Sequence, residues 1–273
     1  MKESSERSKT IDDERMVPLD LAAKLYGKVK PGYKLCFYRH VAAYDYVAGL
    51  LEPRHRVLDV GSGTGYGSSI LAGRCAHLTG VDYSHEAVEY ATKNYGCEKC
   101  VFRVGDALHT GLPDACVDVV CAVQVLEHMA DQKGFILEVL RVLAPGGRFA
   151  AVTPNKVTFS PDSEVGFSFH YKEYRARELV EFLSGFFAQV RLYGLFATSL
   201  VSRVHHDKKL SRMGRGRLLG LMPVFIRKKV RKFIWHMRKD SEITAKDFEV
   251  TDSLPVEDSL DLVAVCQSGV SRG

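Results

Sequence analysis

The sequence has a single tryptophan and no uninterrupted apolar run near the roughly 18 residues that a membrane-spanning helix requires. Its opening stretch, MKESSERSKTIDDER, lacks the apolar core of a secretory signal and reads as a polar, disordered leader reaching to about residue 17. There is no internal repeat. Cysteines are present (Cys36, Cys75, Cys97, Cys100, Cys116, Cys121 and Cys266), but their number is odd and several lie in apolar, strand-like runs. That pattern argues against a disulfide framework and predicts reduced, buried thiols in a cytosolic protein. Cys97 and Cys100 form one C-x-x-C with no second pair at matched spacing, so a turn beside a strand is favoured there over a zinc or redox site.

What is there is an ordinary globular composition, 46% hydrophobic and 26% charged over 273 residues, which suits one large domain with additions. Strand-like and helix-like periods alternate. Residues 34–51 read as a helix. RVLDV at 56–60, HLTGVD at 77–82, CVFRVGD at 100–106, VDVVCAV at 117–123, RFAAVTP at 148–154, FAQVRLYGL at 187–195 and SLDLVAVCQ at 259–267 read as strands. Between them, Ser84 is a predicted N-cap for HEAVEYATKNY. A helix over about 131–143 should stop at APGG, and KEYRARELVEFLSG is amphipathic. The fold class this predicts is α/β, a mostly parallel sheet covered by helices on both faces. The expected organisation is a leader at 1–17, N-terminal helices at 18–54, a core at 55–200, a basic insertion at 201–246 and a final strand and tail at 247–273.

Ligands of such sheets bind beyond the carboxyl ends of the strands, so the turn VLDVGSGTGYG after the first strand asks which cofactor it serves. The dinucleotide fingerprint G-x-G-x-x-G fails in both registers: counted from Gly61 the sixth residue is Tyr66, and counted from Gly63 it is Ser68. The phosphate-binding loop fails too, since no Lys-Ser or Lys-Thr follows. Asp59 stands two residues before Gly61, where its charge would repel a pyrophosphate and favour a cationic ligand. S-adenosylmethionine, with an ammonium group, a sulfonium and no phosphate, meets that requirement. Gly61, Gly63 and Gly65 would let backbone approach it closely, and the following helix would face the methionine carboxylate. Asp82, ending the second strand, suits two ribose hydroxyls, and Asp106 in GDA suits the adenine amino group. Each acid alone could merely cap a turn; three at adjacent strand ends, in register with G-x-G-x-G, point to a cofactor site.

These pieces, VLDVGSGTGYG, GVDYSHEAVEYA, GDA, VVCAVQVLEHMAD and RVLAPGGRFAAVTPN, follow the order found in class I S-adenosylmethionine-dependent methyltransferases of the small-molecule type, which the chain resembles over about two thirds of its length. The resemblance implies a Rossmann-like, seven-stranded sheet whose last strand is antiparallel and inserted beside the fifth. It implies a cofactor-binding set of Asp59, Gly61, Ser62, Gly63, Gly65, Asp82, Tyr83, Asp106, Ala107 and Gln124. Methyl transfer from a sulfonium is an in-line displacement whose main demand is alignment; a base is needed only for a hydroxyl or protonated amine. His128 in LEHMAD and His170 in GFSFHYKEY are the candidates for catalysis or acceptor contact, set against a purely shaping role for the former. Tyr171 and Tyr174 could line an aromatic wall or simply pack. Tyr38, Arg39 and His40, on a helix that would lie over the cofactor, are candidate pocket residues, set against the alternative of a plain amphipathic helix. Members acting on catechol-like hydroxyls use a metal-binding acid where this chain has Gln124, a poor ligand for a hard cation. No metal is therefore expected, and turnover is expected to survive chelation.

The net charge of +5 conceals an asymmetry. Residues 203–239 carry thirteen Lys or Arg against Asp207 alone, a local +12, which leaves the rest of the chain at −7. Within it, Val224, Phe225, Val230, Phe233, Ile234 and Trp235 alternate with Arg227, Lys228, Lys229, Arg231 and Lys232. Three readings stay open: a substrate lid, a peripheral contact with anionic membrane, and nucleic-acid binding, disfavoured because no recognition module accompanies the segment. Vesicle co-sedimentation separates the first two. A surface helix predicts salt-sensitive binding to anionic vesicles that is lost when Lys228, Lys229, Arg231 and Lys232 are replaced by Gln; a lid predicts none. The acceptor expected is a small molecule, a sugar or a lipid-linked compound. The rival readings are a nucleic-acid methyltransferase, against which the absence of an N-P-P-Y-like motif after the fourth strand argues, and an inactive cofactor-fold protein that binds partners through its basic segment.

Overall fold

The computed structural model describes residues 16–26, 29, 31–161, 169–198 and 243–269. The basic segment at 203–239, and the readings that rest on it, lie outside these residues.

Apolar runs bounded by glycine and aspartate make the strands, and the helices between them cover both faces. Helices α1 (Leu19–Tyr26) and α2 (Pro31–Gly49) lead into β1 (Arg56–Val60), α3 (Tyr66–Ala72), β2 (His77–Asp82), α4 (His85–Tyr95) and β3 (Cys100–Val104). Then come β4 (Val117–Val123), a short 3-10 turn at Leu126–His128, α5 (Gln132–Val142), β5 (Leu143–Pro154), α6 (Lys156–Phe159), α7 (Ala176–Ser184), β6 (Gln189–Ala197), β7 (Phe248–Thr251) and β8 (Asp261–Gln267). Ser84 caps α4 as its residue type predicts, its side chain accepting a hydrogen bond from the Ala87 N–H.

The strand order is β3-β2-β1-β4-β5-β8-β6-β7. Strands β1 to β5 are mutually parallel, and β8 runs antiparallel between β5 and β6. The insertion of the last strand beside the fifth is as the resemblance implied. The sheet has eight strands rather than seven, because the four-residue β7 adds an antiparallel edge to β6. Only Phe248 of that strand is buried, too short an alternation to register as a strand in sequence.

Two further boundaries differ from the sequence reading. The helix α5 ends at Val142, and APGG belongs to β5 rather than to a post-helical turn: β5 pairs with β4 from Leu143, bulges, and resumes at Arg148. Gly146, at φ +75°, supplies the left-handed residue that the bulge needs. The amphipathic helix begins at Ala176, not Lys172, because Tyr174 bridges to Asn155 and Glu178 caps the Arg175 N–H.

Two apolar layers sandwich the sheet. One gathers Tyr44, Val47, Leu71, Ala91 and Val263, the other Leu58, Phe135, Ile136, Phe149, Leu179 and Leu262. Each such Val, Leu, Ile or Phe side chain, fully buried, contributes roughly 1.5–3 kcal/mol of transfer free energy. The connections from β1 run one way across the sheet to β2 and β3, while β4 and β5 lie on the other side. The order thus reverses between β1 and β4, and that crevice, at the carboxyl ends of the two strands, is where a ligand belongs in an open α/β sheet. No helix among the described residues is long and apolar enough to cross a membrane.

Candidate active site

The glycine turn after β1 is built by backbone conformation and close packing. Gly61, Gly63 and Gly65 have φ of +69°, +54° and +84°, a region that costs other L-residues of order 1–2 kcal/mol. The Gly61 and Ser62 N–H groups donate to the Val81 carbonyl, and Gly65 N–H donates to Ser62. A Cβ on Gly61 would lie 2.5 Å from Val125, in the loop after β4, and one on Gly65 would lie 2.7 Å from Ala91. At these two positions the neighbour that excludes a side chain is therefore protein. The contact with Val125 ties the turn to the far side of the crevice.

Asp82 lies at the end of β2, 3% exposed. Its carboxylate accepts hydrogen bonds from Gly63 N–H at 2.8 Å and Ser84 N–H at 2.9 Å, joining the glycine turn to the β2–α4 loop. Asp59 is fully buried; Ser68 Oγ donates to it at 2.6 Å and Tyr44 Oη at 3.4 Å, which fastens β1 to α3 and α2. Asp106, Ala107 and Tyr83 line the adjoining loops. Asp106 accepts from the Leu108 N–H in an Asx turn, and Tyr83 is 68% exposed. Helix α3 has only seven residues, so its end adds little beyond the turn's own groups.

Burial lifts the Asp59 carboxyl from its ordinary value near 3.8 to about 7, opposed by its bonds to Ser68 and Tyr44 and assisted by the nearby Asp82 charge. A carboxyl whose proton is held more tightly in the folded chain stabilises the fold at low pH. That contribution fades as pH rises from about 4 and is gone above about 7. Urea unfolding at pH 5 and pH 8 should therefore show a larger loss of stability for wild type than for Asp59→Asn; equal losses would count against a perturbed Asp59.

A second polar cluster occupies the ends of β4 and β5. Gln124, at φ +56°, donates its N–H to the Val152 carbonyl and its side-chain amide to Asp261. Asp261 also meets Arg39, whose Nε lies 3.0 Å from Oδ2. Of the three candidates on α2, Arg39 reaches this cluster, His40 meets Tyr66 Oη at 3.2 Å, and Tyr38 packs against the core. Burial, with the Arg39 charge beside it, lowers His40 to about 3.

Glu127 is fully buried. Thr153 Oγ1 donates to its Oε2 at 2.9 Å, while Oε1 has no hydrogen-bond partner among the described residues. Burial raises this carboxyl to about 8, with Asp261 adding to the shift and Thr153 and Arg39 opposing it. His128 lies next to it in the 3-10 turn, and the His170 ring stands edge-on to His128 with centroids 4.8 Å apart. His128 Nδ1 lies 3.0 Å from the Phe169 carbonyl, and His170 Nδ1 lies 2.7 Å from Glu173 Oε1. Ser160 Oγ donates to the other oxygen of Glu173, and the His170 ring stacks on Phe159.

Sequence reasoning missed several members of this cluster. Glu173 is three residues from His170, a spacing that was visible; Thr153 and Asp261 come from distant strands and carried no local signal. Of the two tyrosines, Tyr174 packs: it is fully buried, donates to Gln132 and stacks on Phe182. Tyr171 is 71% exposed. The expectation of metal independence was drawn from Gln124 alone. A different set of donor atoms converges here, one each from Glu127, His128 and His170, all within 4.8 Å of one another.

The glycine turn fits S-adenosylmethionine on an observation independent of its sequence. Ser62 Oγ and Thr64 Oγ1 are buried hydroxyls with no hydrogen-bond partner among the described residues, and such groups are rare unless a ligand or water completes them. They belong to the turn whose Gly63 N–H donates to Asp82, a set of acceptors and donors suited to a zwitterionic nucleoside without phosphate.

Comparison with known proteins agrees. A family model described as a methyltransferase domain matches residues 58–151. A probable S-adenosylmethionine-dependent methyltransferase of Mycolicibacterium smegmatis is 33% identical over 237 residues, covering 84% of this chain and 87% of that protein. The 27-O-demethylrifamycin SV methyltransferase of Amycolatopsis mediterranei is 35% identical over 131 residues, 44% of this chain and 48% of that one. Among solved structures, a Thermotoga maritima S-adenosylmethionine-dependent methyltransferase superposes with a TM-score of 0.57 at 14% identity over 87% of this chain and 95% of its own, which bears on the fold alone. The chain belongs to the S-adenosylmethionine-dependent methyltransferases, and S-adenosylmethionine is its methyl donor.

Proposed function

We propose that this enzyme methylates a hydroxyl of a small acceptor, a sugar or a lipid-linked compound included. The observation that carries the reading is the pair of imidazoles, His128 and His170, set side by side at the ends of β4 and β5 with both orientations fixed through Nδ1. The rifamycin-modifying relative, an enzyme for a small molecule, supports the acceptor class.

When bound, S-adenosylmethionine supplies an electrophilic methyl on sulfur. The chain's own groups do the rest. The turn at 61–65 and Asp82 would hold the donor in the β1–β4 crevice, and the partnerless Ser62 and Thr64 hydroxyls would be available to it. Val125, packed on Gly61, begins the turn that carries His128, and His128 meets His170 edge-on. There they contact and orient the acceptor hydroxyl, whose nucleophilicity depends on losing its proton. The Phe169 carbonyl and Glu173 hold the two rings through Nδ1; because a carbonyl cannot donate, His128 keeps its proton on Nδ1 and its neutral ring accepts through Nε2.

The test is transfer of a labelled methyl group into an extract of the parent organism. Label should appear in low-molecular-mass or lipid-extractable material as a base-stable ether. Label confined to nuclease-sensitive or protease-sensitive material would refute the acceptor class. The donor half is tested separately by calorimetry with S-adenosylhomocysteine. Asp82→Ala should weaken binding by roughly 1.5–3 kcal/mol, the scale of lost hydrogen bonds to a charged group; unchanged affinity would remove Asp82 from the site.

A further inference from the structure

At the end of the sheet away from the crevice lies a recess that methyl transfer does not use. It has a volume of about 690 Å³ and is lined by Glu52, Arg54, His55, Arg56, Asp118 and Arg148, together with the bulge of β5. Arg56 opens β1, Asp118 is the second residue of β4, and Arg148 resumes β5 after its bulge. The crevice lies at the other ends of β1 and β4.

The charges in this recess are unevenly matched. Both carboxylates are taken: Arg54 Nη2 lies 2.9 Å from Glu52 Oε2, and Arg56 donates to Asp118 through Nε at 3.3 Å and Nη2 at 3.2 Å. Arg148, half-buried, makes no ion pair or side-chain hydrogen bond among the described residues. A guanidinium drawn partly out of water without a counter-charge is uncommon. His55 records the resulting field. It is buried, and its Nδ1 accepts from the Glu52 N–H at 2.9 Å, so its neutral ring carries the proton on Nε2. Burial first, and the Arg148 charge second, hold its pKa below the usual 6.5; Arg54 adds to the lowering, while Glu52 and Asp118 oppose it. Arg148 and Arg54 therefore both act on the same ring.

We infer that this recess binds a small phosphate-bearing molecule, with Arg148 and Arg54 holding its phosphate oxygens. A guanidinium presents its N–H groups as a planar fork that matches two phosphate oxygens at once. The cations are gathered in one recess with carboxylates beside them, which suits a compact anion; a nucleic-acid backbone would bring further phosphates against Glu52 and Asp118. The volume falls within the roughly 300–1,000 Å³ of small-molecule sites and leaves room for more than a bare phosphate. The site is separate from the methyl-transfer reading and does not rest on it.

The test uses inorganic pyrophosphate on the full chain. Calorimetric titration at constant ionic strength should show one saturable site in wild type. Arg148→Gln should weaken binding by about 10–100-fold, the scale of hydrogen bonds lost to a charged group. Arg54→Gln should weaken it less, because Arg54 is already shared with Glu52. S-adenosylhomocysteine affinity should be the same in wild type and both variants, which verifies the fold. Pyrophosphate should also raise the His55 pKa, followed by NMR with His55→Gln to assign the signal, because an anion beside Arg148 offsets the charge that depresses it. Wild type that binds pyrophosphate no more tightly than Arg148→Gln overturns the site. So does binding that leaves the His55 titration unmoved, or that S-adenosylhomocysteine displaces, since either would place the phosphate elsewhere.

Discussion

Replacing His170 by alanine should lower the rate of methyl transfer by about 10²–10⁴-fold, the range in which a positioned proton-handling group contributes, while leaving S-adenosylhomocysteine affinity within about twofold. The split follows from placement. His170 stands after β5, edge-on to His128 and held by Glu173, whereas the donor turn lies after β1 and is held by Asp82. Glu173→Gln should reduce the rate by less, because Nδ1 keeps an acceptor oxygen but loses the charge that fixes the ring. Rate constants and calorimetry on both variants check this; a His170 variant that loses donor affinity in step with turnover would mean that the ring shapes the pocket and does not serve the acceptor.

Substituting Gly61 should damage the fold and the donor site together. At φ +69° an alanine is strained by about 1–2 kcal/mol, and its Cβ would lie 2.5 Å from Val125 Cγ2, an overlap of the kind that costs typically 1–3 kcal/mol in a packed interior. The expected sum for Gly61→Ala is about 2–5 kcal/mol, together with loss of S-adenosylhomocysteine binding at ordinary concentrations. The two causes are separable. Val125→Ala introduced into the Gly61→Ala background should recover the overlap and not the backbone strain, so the double variant should be more stable than additivity allows. Urea denaturation of the four proteins measures the coupling; strict additivity would show that the Val125 contact is not what excludes a side chain at Gly61.

Much of the fold was legible because the strands are buried on both faces and read as plain apolar runs. VDVVCAV is β4 to the residue, and HLTGVD is β2. Helix α4 was legible from its serine cap. The errors fall where tertiary pairing overrides local preference. APGG looks like a helix stop and is one, yet the chain enters β5 at once, because Leu143 finds Val117 across the sheet. The four residues of β7 have nothing to mark them except the edge of β6.

The site divides the same way. The proposed donor half lies in short, contiguous motifs, so Gly61, Gly63, Gly65, Asp82 and Asp106 could be put forward for it from strand ends and spacing. Asp59 was named for its charge, but its surroundings were not legible: Tyr44 and Ser68 take its hydrogen bonds, and burial lifts its pKa. The cluster at the ends of β4 and β5 draws on Arg39, Glu127, Thr153, His170, Glu173 and Asp261. Apart from the three-residue spacing of His170 and Glu173, only the packing of α2, β5, β8 and the loops after β4 and β5 brings them together.

We propose that the β1–β4 crevice holds S-adenosylmethionine. Calorimetric titration of the purified protein with S-adenosylhomocysteine, alone and in the presence of excess NAD, tests it most directly. The account predicts one saturable site per chain whose affinity NAD leaves unchanged. Absence of S-adenosylhomocysteine binding, or its displacement by NAD, would contradict it.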